Sequence, residues 1–149
     1  MFGALKRAFG AGAKEIAADY SENRDYLEAV CAAAALTAMA DGEIEDSERS
    51  KTVKVISQHP TLSKFYKPQD IEQTADTMFK RAKEASGRQL LARELDDIKG
   101  RPNGPQMAED VYLVAVDVAG ADGEVEPAEE AVLKKIAARL GVDTAKFEF

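Results

Sequence analysis

Cysteine, histidine and tryptophan are nearly missing from this chain: it holds one Cys, one His and no Trp. The single cysteine, Cys31, excludes an internal disulfide framework, a thiolate metal knuckle and a CxxC redox pair. The single histidine, His59, excludes metal motifs that need two imidazoles. With aromatics at 7%, a stacking platform for bases or sugars is not expected. Positive charge is also in short supply. Acidic residues number 27 against 20 basic ones, a net charge of −7, which argues against a nucleic-acid binder. Long apolar runs are absent: the stretch 29–40 is interrupted by Thr37 and falls short of the roughly 20 residues of a membrane span. Lys14 and Glu15 follow the first apolar residues too soon for a secretory signal, so a cytoplasmic protein is expected. There is no G-x-G-x-x-G, P-loop or Ser-His-Asp set, and no enzyme is expected. The chemistry left is that of carboxylates, hydroxyls and backbone.

What is present is helical pattern. A chain of 149 residues with 45% hydrophobic content can bury the core of one domain, taken here as 1–149. Leu5, Phe9, Ala13 and Ile16 recur at helical spacing, weakened by Gly10 and Gly12. Residues 24–40 follow, with the small, strongly helix-forming run Ala32, Ala33, Ala34, Ala35 suited to close packing. Thr52, Val55, Ile56 and His59 mark a third helix, which Pro60 is expected to stop. Pro68 suits a first helical turn, and Ile71, Ala75, Met78, Phe79 and Ala82 form a stripe behind it. Gly87 reads as punctuation before Leu90, Leu91, Leu95 and Ile98. Residues 100–105 carry the strongest loop signal, Gly-Arg-Pro-Asn-Gly-Pro. Residues 107–119 and 127–140 are the last long helices, with a short turn near Asp143. The class expected is all-α, with about seven helices and little or no sheet.

The informative feature is a repeated motif. Asp41-Gly-Glu-Ile-Glu45 and Asp122-Gly-Glu-Val-Glu126 match at a shift of 81 residues, and the match continues to Glu48 and Glu129. The positions that follow also align: Thr52 with Leu133, Val55 with Ile136, Ile56 with Ala137, His59 with Leu140. Each copy, approximately 24–59 and 105–140, therefore reads helix, acidic turn, helix. The segment between them has no twin. Residues 111–118 are rich in β-branched side chains, but their counterpart decides for helix. Gly42 and Gly123 are the turn-forming residues, able to take the positive φ that reverses a chain after a helix. Glu45 or Asp46, and Glu126 ahead of Pro127, can open the next helix, where acids suit the positive end of the dipole. Ile44 and Val125 are the only apolar residues of the two turns, and are expected to point inward and to pair with each other.

The spacing invites comparison with an EF-hand loop. With Gly42 at its sixth position, Asp41 takes the fifth and Glu48 the twelfth; Asp122, Gly123 and Glu129 do the same. The first and third positions fail, being Thr37 and Met39 in one copy and Val118 and Gly120 in the other. Two incomplete oxygen sites are expected, Asp41, Glu43 and Glu48 in one turn and Asp122, Glu124 and Glu129 in the other. With water completing the shell, they would hold a hard divalent cation weakly, on the order of 0.1–1 mM, Ca²⁺ ahead of Mg²⁺ or Zn²⁺. The alternative is that these acids cap helices and solvate a turn. Asp117 sits in an otherwise apolar stretch, where a charge is costly unless paired. It can add an oxygen to the second site, or find a basic partner from the middle helices. Cys31, in the alanine-rich helix, and His59, before Pro60, both read as structural.

The paired D-G-E-[IV]-E-x-x-E motifs, each set between helices, resemble the TerB family of tellurite-resistance proteins. The resemblance covers nearly the whole chain, in length, acidic balance, the two motifs and the unrepeated helices between them. It implies an all-α cytoplasmic protein of tellurium resistance and stress response, with a metal site at Asp41, Glu48, Asp122 and Glu129. It implies as partners the membrane protein TerC and calcium-binding TerD-type proteins.

The function expected is that of a non-catalytic scaffold or adaptor whose acidic turns hold a divalent cation. The alternative is a peripheral membrane adaptor or interaction module whose turns bind a basic partner without metal. Phe2, Leu5 and Phe9 share a helical face and could form a foot on the inner membrane surface, or pack on their own domain. No obligate oligomer is expected. The charge supports the emphasis on the turns: residues 41–48 and 122–130 hold five acids each and no Lys or Arg, and removing those ten leaves 17 acids against 20 bases.

Overall fold

A computed structural model describes residues 24–147. Among the described residues there are seven α-helices and no strand, so the protein is all-α: α1 Asp25–Ala38, α2 Asp46–Gln58, α3 Pro60–Ser63, α4 Pro68–Ala82, α5 Ala85–Asp96, α6 Gly104–Ala119 and α7 Pro127–Leu140. Single 3₁₀ turns, Gly120–Asp122 and Thr144–Phe147, follow α6 and α7. The expectations placed on residues 1–23, including the contact residues Phe2, Leu5 and Phe9, lie outside the described residues.

The alanine run makes α1 the central helix. Tyr26, Leu27 and residues 29–35 have no exposed surface at all, and α4, α5 and α6 pack closely around them. Small side chains let the neighbouring backbones approach, while Leu27 and Val30 supply the larger apolar area, each stabilising by about 1.5–3 kcal/mol when fully buried. Tyr26 stacks on Tyr66, ring centroids 6.4 Å apart. Cys31 is wholly buried, and burial pushes its thiol far above the usual thiol range, so it is a small core residue and not a nucleophile. Thr37 meets its own helix, its hydroxyl donating to the Ala33 carbonyl at 2.7 Å.

Ion pairs fasten the outer helices. Arg49 of α2 bonds Asp76 of α4 at 2.6 Å, Arg139 of α7 bonds Asp96 of α5 at 2.9 Å, and Arg101 reaches Asp25 at 3.2 Å. Pairs this exposed contribute at most about 1 kcal/mol each, so they orient more than they stabilise.

One local expectation holds with an addition, and one needs correction. Pro60 stops α2 but at once opens α3, because a proline lacks only an N–H that the first turn leaves unpaired anyway. Gly87 does not separate helices: it lies inside α5, where a β-carbon would stand 1.8 Å from the Arg81 carbonyl oxygen. The glycine is there for close approach of α5 to the end of α4, and the break between them falls at Lys83 and Glu84.

Candidate site: a cleft between two acidic turns

The two D-G-E turns adopt the same backbone. Gly42 has φ +95° and Gly123 φ +96°, a region only glycine enters readily. The Gly42 N–H donates to the Met39 carbonyl at 2.9 Å and the Gly123 N–H to the Gly120 carbonyl at 3.0 Å. Glu45 and Glu126 then stand as N-caps in extended conformation, at φ/ψ of −76°/153° and −71°/154°, and launch α2 and α7. The acids of each motif thus gather at a helix N-terminus, where the dipole favours negative charge.

The caps differ in detail. At α7 the Glu126 N–H donates to Glu129 Oε1 at 3.1 Å, the N3 acid of a capping box. At α2 the Glu45 N-cap has no side-chain cap hydrogen bond. In the first turn the Glu43 N–H donates instead to Asp41 Oδ1 at 3.2 Å.

These turns face a common cleft of about 330 Å³. Asp41, Glu45 and Glu48 line it from the first motif, Glu126 and Glu129 from the second. Small apolar side chains, Ala38, Val55, Val118, Ala119 and Ala121, line it between the acids, and Lys51 is the one basic residue among those lining it. Five carboxylates around an apolar patch, against one ammonium, make an electronegative recess.

Of the expected ligands, Asp41, Glu48 and Glu129 come to this cleft. Glu43 lines a separate groove with Met39, Ile44, Phe79 and Lys83. Glu124 is exposed on its turn and is not among the cleft residues, while Asp122 closes the 3₁₀ turn. Asp117 bonds elsewhere: its Oδ2 lies 2.9 Å from His59 Nε2. His59 Nδ1 accepts from the Thr61 N–H at 3.3 Å, which leaves Nε2 to carry the proton donated to Asp117. The pair ties the end of α2 to α6. Among the described residues, no three His, Cys, Asp or Glu side chains converge as a metal-binding group. Ile44 and Val125 are both partly buried: Ile44 lines a groove with Met39 and with Phe79 of α4, and Val125 Cγ2 stands 3.9 Å from where a Gly120 β-carbon would be.

Glu45 and Glu126 are the cleft residues whose position the sequence reading assigned only to helix starts. Lys51 carried no signal at all. A second acidic pair, Glu28 and Glu94, also escaped notice, being 66 positions apart; burial and the Glu28 carboxylate push the Glu94 carboxyl up to about 7.

The described residues thus make an all-α domain with two acidic reversals on one cleft. Residues 27–149 match the family model described as tellurite resistance protein TerB, and the chain belongs to that family. No curated protein and no solved structure matches it.

Proposed function

We propose that this TerB-family chain acts in tellurite resistance as a non-catalytic adaptor, and that its two acidic turns form one recognition site for a positively charged partner segment. The observation that carries the reading is the shared cleft: Glu45 and Glu48 face it with Glu126 and Glu129, although the two motifs are 81 residues apart in sequence. Its apolar residues, Ala38, Val55, Val118, Ala119 and Ala121, suit a segment with small hydrophobic side chains, and its acids suit Lys or Arg on either side. In this reading the protein works in the cytoplasm. No helix among the described residues is long and apolar enough to cross a membrane. The partners implied by the resemblance, TerC and TerD-type proteins, are the first to test.

A second reading is a divalent cation, Ca²⁺ foremost, drawn weakly to the same carboxylates through water. The concentration of acids favours it. Against it, Glu43 stands in a different groove, and one oxygen each of Asp41 and Glu129 is already engaged by a backbone N–H.

An NMR titration separates the two. A Lys/Arg-rich peptide is expected to shift the amides of Gly42, Glu48, Gly123 and Glu129 together, and to do so less as salt rises. Millimolar Ca²⁺, Mg²⁺ or Zn²⁺ moving those amides in the absence of peptide favours the cation. Amides unmoved by both would refute both readings.

A further inference from the structure

Lys51 is the one cation among the residues that line the cleft between the acidic turns. It lies on α2, three residues after Glu48, and is exposed. Among the described residues it forms no ion pair and no side-chain hydrogen bond. The other cations of this region are engaged or placed elsewhere. Arg49, on the same helix, bonds Asp76 of α4 at 2.6 Å, and Lys83 lines the separate groove with Glu43. Lys54, about one turn further along α2, is exposed and is not a cleft residue.

The repeat shows what Lys51 adds. The shift of 81 that matches the two turns aligns Lys51 with Val132 of α7, a partly buried residue packed against the core. The two sides of the cleft thus carry like acids and unlike counter-charge. On the α2 side Glu45 and Glu48 share the recess with an ammonium, whereas on the α7 side Glu126 and Glu129 face it without one. Lys134 and Lys135 stand exposed on α7 and do not line the cleft. A positive charge beside a carboxylate weakens its pull on a foreign cation. The effect is local, because salt screens it over about 10 Å at 0.1 M.

We propose that Lys51 is a tethered counter-ion that sets the affinity and direction of the cleft: it competes with a partner for the carboxylates of the α2 side, so that the partner's first cation seats against Glu126 and Glu129. This rests on the reading of the cleft as a site for a basic segment, and names the residue that governs how such a segment binds. The cleft with Lys51 in place is a tuned site, held below the attraction its five acids would exert alone.

Calorimetry with one Lys/Arg-rich peptide at low salt tests this on the full chain. Lys51→Gln is expected to tighten binding about threefold, and the gain to shrink as ionic strength rises. Lys51→Arg, which keeps the charge, is expected to return the affinity to that of the unmodified chain. Lys54→Gln makes the same change in net charge outside the cleft and is expected to give less than half of the gain. Direction is read from the acids: Glu126→Gln is expected to weaken binding more than Glu48→Gln, and Lys51→Gln to narrow that gap. Because Lys51 is exposed, its variants are expected to keep the fold.

Equal affinities for the unmodified chain and Lys51→Gln, or an equal gain from Lys54→Gln, would overturn the counter-ion and leave the recognition site standing. A peptide bound by none of these chains would overturn both.

Discussion

The two helix–turn–helix units reverse the chain identically and bury their helices to different depths. Their turns match to a degree in glycine φ and in the hydrogen bond that closes them. Yet in the first unit the leading helix α1 is the buried centre and α2 hides only Ile56, whereas in the second α6 keeps Leu113 and Asp117 at the surface and α7 buries Leu133, Ile136, Ala137 and Leu140. Turn geometry is therefore local, set by D-G-E and a helix start. Burial is global, set by which helices happen to surround each unit. The proposed recognition site follows the local feature, because the two turns converge on one cleft while their scaffolds diverge.

The largest effects should come where burial differs. Leu27→Ala in α1 is expected to cost about 2–5 kcal/mol in urea unfolding, since a fully enclosed side chain leaves a cavity. The aligned pair Ala32 and Leu113 sharpens the contrast. Ala32→Leu should cost about 1–3 kcal/mol by overpacking a site with no free surface. Leu113→Ala, on the surface, should stay within about 0.5 kcal/mol. Equal costs at the two positions would mean the units are packed alike.

Where the units agree, the effects should agree. Gly42→Ala and Gly123→Ala should each cost about 1–2 kcal/mol by forcing a β-carbon into positive φ, and the two values should match within error. A large difference between them would break the identity of the turns.

The smallest expected difference lies in the caps. Glu129→Ala removes the oxygen that receives the Glu126 N–H and should cost about 1 kcal/mol. Glu48→Ala, at the uncapped helix start, should change thermal unfolding by only a few tenths of that. Both should weaken binding of a basic peptide.

The fold was largely legible because helical periodicity and the D-G-E reversals are local signals. Residues 111–118, β-branched and ambiguous alone, are helical as their alignment with the alanine-rich helix implied. Gly87 misled because a glycine serving close packing looks the same in sequence as one ending a helix. The cleft was only half legible. Two acidic motifs are plain to read, but which acids face each other is decided by helix packing. So Glu43 turned to another groove, Asp117 to His59, and Glu45 and Glu126 toward the cleft.

The central claim, that the two turns act as one site, is tested most directly by a charge double-mutant cycle. Binding of one Lys/Arg-rich peptide is measured by calorimetry for the unmodified chain, Glu48→Gln, Glu126→Gln and the double variant. The account predicts a single binding event per chain, weakened by either substitution, with an interaction energy of about 0.5 kcal/mol or more between them. Two independent events, or substitutions that add without coupling, would show that each turn binds alone and contradict it.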